Sequence, residues 1–332
     1  GESGPLKLSR SPNGNILSQV YLNAAQQAGY EINNDMNGEK QEGFGLMDTT
    51  IFNGKRHSTS VTYLHPIKHR SNLEILTNVT VNKILFEDKK AVGVECKANG
   101  ENKKYFSSKE VLLSAGAINS PQLLMLSGIG PENELSKYSI EPVACLEGVG
   151  KNLQDHLETY VQYICKKPVT LHSAQNPLKM ALIGAEWFLF KTGVAAHSNL
   201  ETGGFVQSNE MSDYPNMQFH FFPSLVLDHG RKSSTCHAFQ AHVGPMRPTS
   251  RGSVKLKSAN PNDAPSIQFN YMQPEHDLRE MREGIKIARE IFNQKEFDEY
   301  RGEVISPGSD INHDEDLNNF IRDKGDTAYH PS

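Results

Sequence analysis

Apolar residues recur at helical spacing in two parts of the chain. They stand four residues apart from Ile16 to Ala28, and Gly29 follows directly, so the pattern predicts a helix over 16–28. A longer amphipathic pattern over Glu275–Phe292 gathers its large apolar residues on one face and predicts a second helix. A short helix is also predicted around residues 58–65.

Alternating and β-branched runs predict strands on both sides of residue 150. In the first part they lie at residues 73–76, 79–86, 91–96, 105–106 and 110–114. The last of these has a fully apolar centre, which is typical of a strand buried on both faces. In the second part they lie at residues 159–165, 217–222, 238–243 and 253–256. Strands followed by a long helix indicate an antiparallel sheet with helices on one side.

The junction after residue 114 has an unusual composition. A small-residue turn at 115–117 precedes Asn119 and Ser120, either of which can cap a helix, and Pro121 suits the first turn of a helix continuing over Gln122–Leu126. Such a turn lets a flat molecule approach backbone N–H groups closely. An ordinary strand-to-helix connection is the alternative, and local geometry alone favours it.

Composition narrows the function classes. The 332 residues carry a net charge of −5 with acids and bases interleaved, so a nucleic-acid partner is not expected. The four cysteines lie far apart, and the histidines lack a His-Glu-x-x-His spacing, so no metal site is predicted. No apolar run is long enough to span a bilayer. Both ends of the chain read as cuts.

Four segments resemble one enzyme family. The fifteen residues Gly116–Gly130 match the second signature of the glucose–methanol–choline flavin oxidoreductases at every fixed position. Gly148–His156 resembles the family's loop entering the substrate domain, Asn72–Val81 its flavin-domain strand pair, and Asp326–Ser332 the start of its catalytic histidine motif. The likeness covers essentially the whole chain, and it overturns the preference for an ordinary connection at residues 115–117.

The resemblance implies a fold of class α/β plus α+β. Part of a Rossmann-like domain that binds FAD would be joined to a substrate domain, an antiparallel sheet covered by helices. Residues 1–60 would be shared between the two domains, and residues 61–150 would form part of the FAD-binding domain. Residues 151–310 would form the substrate domain, and residues 311–332 would return to the flavin domain.

The resemblance also implies an activity and the residues that carry it. Alcohol oxidation by hydride transfer to flavin needs a group that accepts the hydroxyl proton, and His330 is the implied acceptor. Val81, Ala115 and Gly116 are the implied flavin contacts. The family's Gly-x-Gly-x-x-Gly fingerprint is missing from this sequence, so we expect the chain by itself to be inactive.

Within the family, the text is most similar to members that oxidise choline. Glu201 lies in an apolar, glycine-rich stretch, and by this resemblance its carboxylate faces the trimethylammonium group of choline. A solvent-facing glutamate on an alternating strand is the alternative. Aromatic walls could come from Trp187, Tyr160, Phe205 and Phe221, although each is more often plain core. His156, His220, His229 and His242 have no identifiable partner and are assigned structural roles.

The implied partners follow from that substrate. They are choline itself and an electron acceptor such as a quinone or a respiratory chain, with peripheral association to a membrane. The resemblance favours the mitochondrial inner membrane, with a bacterial membrane-associated or cytoplasmic enzyme as the alternative. Two other functions stay open: oxidation of a different alcohol or sugar, and a binding protein built on the family scaffold without catalysis.

Overall fold

The computed structural model describes residues 3–208, 213–227, 231–232 and 234–329. The helices are α1 Ile16–Gln27, α2 Gly116–Leu126, α3 Glu132–Ser136, α4 Pro177–Phe190, α5 Glu275–Phe292 and α6 Asp314–Lys324. The strands are β1 Ser9–Arg10, β2 Gly43–Leu46, β3 Asp48–Thr49, β4 Ile51–Phe52, β5 Lys55–Arg56, β6 Val79–Glu87, β7 Lys90–Ala98, β8 Glu101–Phe106, β9 Ile129–Gly130, β10 Ala144–Cys145, β11 Lys151–Leu153, β12 Leu157–Cys165, β13 Thr202–Val206, β14 Met217–Phe222, β15 Ala238–Pro245, β16 Gly252–Lys255, β17 Ser266–Gln268, β18 Arg301–Ser306 and β19 Asp326–Thr327.

A seven-stranded antiparallel sheet forms the centre of the molecule, with the order β18-β12-β15-β14-β13-β2 and with β19 paired to β12. Helices α1 and α5 pack on one face of this sheet. The apolar side chains of that face join the helices in the main core, whose largest fully buried members are Tyr21, Phe44, Phe219, Phe221, Phe239, Phe292 and Phe297. The predicted sheet with helices on one side is therefore confirmed.

The two strongest helix predictions are confirmed almost to the residue. Helix α1 begins after Asn15, whose side chain accepts a hydrogen bond from the Leu17 N–H, and it ends just before Gly29, which has a φ of 93°. Helix α5 spans the predicted residues, and its apolar face is buried against the sheet. In both cases a local pattern and a large apolar contact favour the same element.

A separate three-stranded sheet, β6-β7-β8, confirms the predicted strands at 79–86, 91–96 and 105–106. The strand predicted at 73–76 is wrong, since those residues belong to no strand among the described residues. The strand predicted at 110–114 is also wrong, and Leu112 in its apolar centre is 82% exposed. A strand needs a hydrogen-bonded neighbour, and within the described ranges none lies beside either segment.

Two helices depart from the sequence prediction. Around residues 58–65 the chain forms a π-helical turn, Ser60–Leu64, followed by a 3₁₀ turn. Helix α2 begins at Gly116 rather than after Asn119 or Ser120, so Pro121 lies inside the helix instead of in its first turn. Since Pro121 has no N–H, the first turns of α2 lack one helical hydrogen bond.

The domain boundaries expected near residues 60 and 311 can be compared with the packing. Strand β2 joins the central sheet through β13, so part of residues 1–60 belongs with the strands of 151–310. After residue 311 the chain continues on the same core, because α6 packs on α5 and β19 pairs with β12. The assignment of residues 311–332 to the flavin domain stays a prediction.

Helix α4 is not anticipated by the sequence pattern. It is apolar nearly all round, yet none of its residues is buried, and Leu178, Met180, Leu182, Phe188, Leu189 and Phe190 are all more than half exposed. The Trp187 indole N–H donates to the Gly54 carbonyl at 2.6 Å and ties the helix to the β4–β5 turn. No helix in the described part of the chain is long and apolar enough to cross a membrane.

Candidate active site and flavin contacts

The two faces of the central sheet differ in chemistry. Side chains alternate along a strand, so the residues between the core positions of β12, β14 and β15 point away from the helices. Tyr160 stands opposite His242, and His242 stands opposite His220 on the next strand. Glu158, two residues before Tyr160, shares this face. We call these four residues the polar face.

The Glu158 carboxylate and the His242 imidazole form the tightest polar contact on this face. Their Oε1 and Nδ1 atoms are 2.8 Å apart, and both side chains are largely buried. Burial, the largest influence, would raise the pKa of Glu158, but the hydrogen bond from His242 and the further contributions of His242, His220 and Tyr160 together outweigh it and hold that pKa below its usual range. Glu158 is therefore a carboxylate at neutral pH.

The neighbouring amides fix which imidazole nitrogen carries the proton. Gln240 Oε1 accepts hydrogen bonds from Gln162 Nε2 and from the Val226 N–H, both at 2.9 Å. The Gln240 NH₂ group must then donate to His242 Nε2, which lies 2.6 Å away. With Nε2 accepting, the His242 proton on Nδ1 is donated to Glu158.

Tyr160 supplies the aromatic surface of the polar face. Its ring centroid lies 4.5 Å from that of His242. Burial, followed by the charge of Glu158, raises the pKa of the Tyr160 phenol, so the hydroxyl stays protonated. Of the four aromatic candidates from the sequence, two lie on this side of the sheet: Tyr160, and Phe205, which is buried opposite Gln218. Phe221 belongs to the main core, and Trp187 is on α4.

The segment that leads to His330 docks at the start of β12. Residues Asp326 and Thr327 pair with Glu158 and Leu157, and the Ala328 N–H donates to the His156 carbonyl at 2.8 Å. A small cleft there is lined by His156, Glu158, Gln218, His220 and Ala328. His330 itself lies outside the described residues, as does His229. The chain thus reaches the polar face two residues before the predicted proton acceptor.

Two of the three predicted flavin contacts lie together. Val81 on β6 and Ala115 before α2 line one cavity of ≈ 370 Å³, together with Thr80, Asn119 and Gln122. Its volume is in the range of small-molecule sites. Gly116 opens α2 with a φ of 84°, and a β-carbon there would meet no atom within 4 Å. A cleft at a helix start, with a glycine on open space, fits the flat part of a nucleotide.

Glu201 is buried, with 5% of its surface exposed, and its carboxylate contacts the start of α1. Oε1 accepts from the Gly14 N–H at 3.2 Å, while Oε2 accepts from the Asn15 N–H at 3.1 Å and the Ser18 hydroxyl at 2.8 Å. A negative charge at a helix N-terminus is stabilising. The alternative of a solvent-facing glutamate is therefore wrong.

Glu158 and His242 are functional candidates that sequence reasoning missed, since His242 was assigned a structural role for want of a partner. Their signal was present as polar residues at every second position, Glu158-x-Tyr160-x-Gln162 on one strand and Gln240-x-His242 on another. Metal ligands do not gather here: across the described ranges no three His, Cys, Asp or Glu side chains form a cluster that could hold an ion.

Comparison with known proteins agrees with the motifs. Two family models described as GMC oxidoreductase match residues 3–158 and 248–332. The human mitochondrial choline dehydrogenase is 52% identical over 332 residues, which cover 100% of this chain and 56% of that protein. The oxygen-dependent choline dehydrogenase of Staphylococcus xylosus is 48% identical, with 100% and 59% covered. The chain thus spans somewhat more than half the length of these curated relatives.

Solved structures show the same fold. A formate oxidase variant from Aspergillus oryzae RIB40 superposes with a TM-score of 0.91 at 23% identity, covering 100% of this chain and 63% of that one. Pyridoxine 4-oxidase from Mesorbium loti gives a TM-score of 0.86 at 23% identity, covering 100% and 61%. The family models include Val81, Ala115, Gly116 and Glu158, the relatives of about 50% identity extend over the whole chain, and the chain belongs to the GMC oxidoreductase family.

Proposed function

We propose that this chain supplies the substrate-facing sheet and part of the flavin site of an FAD-dependent choline dehydrogenase, which oxidises choline to betaine aldehyde. The observation that carries the proposal is the 52% identity to human choline dehydrogenase, which extends over all 332 residues. A bacterial choline dehydrogenase at 48% identity supports the same substrate.

The cofactor proposal rests on the residues that fit it. FAD, when bound, supplies the acceptor for the hydride that leaves the alcohol carbon. Val81 and Ala115 would line the nucleotide cleft, and the open space at Gly116 would let the cofactor approach the start of α2. His330 would take the hydroxyl proton, since a neutral imidazole titrates near physiological pH.

A cationic substrate suits the polar face. A quaternary ammonium donates no strong hydrogen bond, so its recognition depends on aromatic surfaces and carboxylates. Tyr160 offers a ring beside His242, and the ionised Glu158 is hydrogen-bonded to that histidine. We propose Glu201 as a further carboxylate that faces the cation while it holds α1. A neutral sugar would gain little from this charge pattern, which disfavours the alternative substrate class.

The cellular setting is also a proposal. Relatives described as mitochondrial support a mitochondrial enzyme, and bacterial relatives keep a bacterial one open. We propose a quinone or respiratory chain as electron acceptor and peripheral contact with the inner membrane. The exposed apolar residues of α4, next to Lys179 and Lys191, suit the lipid–water interface. Loss of vesicle binding on Phe188→Ser/Phe190→Ser substitution would support that contact, and unchanged binding would refute it.

The decisive experiment is choline-dependent reduction of an artificial dye by the flavin-loaded enzyme. Glucose and simple primary alcohols are the comparison substrates. We expect kcat/KM for choline to exceed the others by at least about 100-fold, as expected when a charge is recognised with about 3 kcal/mol. Equal rates would favour a general alcohol oxidoreductase. Choline binding without dye reduction would favour the non-catalytic scaffold.

A further inference from the structure

Asp155 lies at a junction of three segments. It follows β11 and immediately precedes His156 and β12. Its Oδ2 atom accepts a hydrogen bond from the Tyr271 hydroxyl, and a second from the Thr327 hydroxyl at 2.6 Å. Tyr271 comes from the segment after β17, and Thr327 from β19. One carboxylate oxygen thus holds two segments that lie 116 and 172 residues further along the chain.

The direction of each hydrogen bond is fixed by chemistry. The Tyr329 backbone N–H can only donate, and it donates to Thr327 Oγ1 at 2.9 Å. The single hydroxyl proton of Thr327 is then free to go to Asp155, which must be the acceptor. Burial, and next the hydrogen bond to Asp155, raise the pKa of Tyr271, so its phenol also remains a donor. The order Tyr271 to Asp155, and Tyr329 to Thr327 to Asp155, is the one that satisfies every group.

Tyr329, the last residue in this series of hydrogen bonds, has an unfavourable backbone conformation. Tyr329 has a φ of 62°, in the left-handed region that residues with a side chain rarely adopt. Such a conformation persists only where its surroundings enforce it. The N–H of this residue is held by Thr327, the adjacent Ala328 N–H is held by the His156 carbonyl, and His330 is the next residue.

We propose that Asp155 is a positioning residue for the oxidation: through Thr327 its carboxylate fixes the left-handed conformation of Tyr329, the residue that precedes His330 in the sequence. This inference rests on the proposed function, because it assigns Asp155 to the same reaction. Tyr271 keeps the carboxylate in place, with its ring stacked on Phe269 at a centroid distance of 4.7 Å. Asp155 and Thr327 each lie in a segment that resembles the family, but their contact with each other and with Tyr271 is seen only in the fold.

The test uses Thr327→Val in the flavin-loaded enzyme, which keeps the shape and removes the hydroxyl. Thr249→Val is the matched control, since the Thr249 hydroxyl donates to the Asp277 carboxylate at 2.7 Å at a place remote in sequence from residues 326–330. We expect Thr327→Val to lower kcat by about 10–100-fold while KM changes less than about 3-fold, the cost of a small misplacement of a reacting group. Thr249→Val should leave kcat within about 3-fold of the wild-type value. Thr327→Ser, which keeps the hydroxyl, should have a kcat close to that of the wild type.

A second pair of measurements completes the test. Asp155→Asn combined with Thr327→Val should lower kcat no more than Asp155→Asn alone, because the two residues act as one unit. Hydrogen exchange at the Tyr329 amide should be slow in the wild type and in Thr327→Ser, and fast in Thr327→Val. A Thr327→Val enzyme with wild-type kcat, or one in which only KM rises, would overturn the inference. A wild type that oxidises no alcohol, with the amide still protected, would instead overturn the proposed function and with it the reaction that Asp155 serves.

Discussion

Glu201→Gln separates the two roles that Glu201 can have. The substitution keeps the size and planarity of the side chain but removes the charge and replaces one oxygen by an NH₂ group. That group cannot accept a hydrogen bond. Whichever oxygen is replaced, at least one donor at the start of α1, either the Gly14 N–H or the Asn15 N–H, then faces another donor.

The expected loss of stability follows from these contacts. A hydrogen bond to a buried charged group contributes about 1.5–3 kcal/mol, and a charge at a partly buried helix N-terminus up to about 2 kcal/mol. We therefore expect Glu201→Gln to lower the free energy of unfolding by about 2–4 kcal/mol, since both terms are partly lost. Ser18→Ala is the control: it removes the 2.8 Å hydrogen bond to Oε2 and leaves the carboxylate charged.

Two assays read the two roles independently. Urea unfolding followed by circular dichroism reports the anchoring of α1, and both variants should be destabilised. Binding of choline against 3,3-dimethylbutan-1-ol, which has the same bulk without the charge, reports recognition of the cation. Glu201→Gln should weaken the binding of choline by about 5–150-fold and leave the binding of the neutral analogue almost unchanged. Ser18→Ala should change the binding of neither ligand. Equal weakening of both ligands by Glu201→Gln would refute the substrate role, and wild-type unfolding would refute the anchoring role.

Three further outcomes are expected. His330→Ala in the holoenzyme should lower kcat by roughly 10²–10⁴ with a smaller change in inhibitor binding; a rate within a few-fold of wild type would assign the proton to another group. The 332-residue chain by itself should yield a colourless preparation that reduces no dye, and a yellow, active one would contradict this. Because the folded pKa of Glu158 lies below its ordinary value of 4.5, its stabilising contribution is complete above that value and is lost as the pH falls through the folded pKa. Unfolding midpoints measured from pH 6 downwards should therefore fall less steeply for Glu158→Gln than for the wild type, and identical slopes would argue against the contribution.

The elements that the sequence predicts well are those whose pattern and packing agree. Helix α5 and strands β12, β14 and β15 each have an apolar period that the core then fills. Residues 110–114 fail for the opposite reason. Their apolar run specifies burial, but the hydrogen-bonded neighbour that makes a strand is a property of other segments, and a single local pattern does not contain it.

The residues of the candidate site fall into the same two groups: those that a local sequence motif identifies, and those that only the fold brings together. Val81, Ala115 and Gly116 lie in or beside motifs of contiguous residues, so a sequence comparison finds them. Glu158 and His242 are 84 positions apart, and only the register between β12 and β15 brings them together. The tautomer of His242 needs still more, because it depends on the Val226 N–H, which orients Gln240. Pairings across a sheet are beyond a reading of one strand at a time.

The alternation along β12 makes stability and specificity separable in this molecule. Val161 points into the core and Tyr160 points to the polar face, although they are adjacent in sequence. A one-residue slip of β12 would exchange the two faces and put Glu158 into an apolar core, where an unpaired carboxylate is costly. The packing of α5 against the core face thus fixes the register that delivers Glu158 to His242. Substitutions at the core positions should therefore change mainly the unfolding free energy, and those at the alternate positions mainly substrate preference, with Glu158 contributing to both through its hydrogen bond to His242.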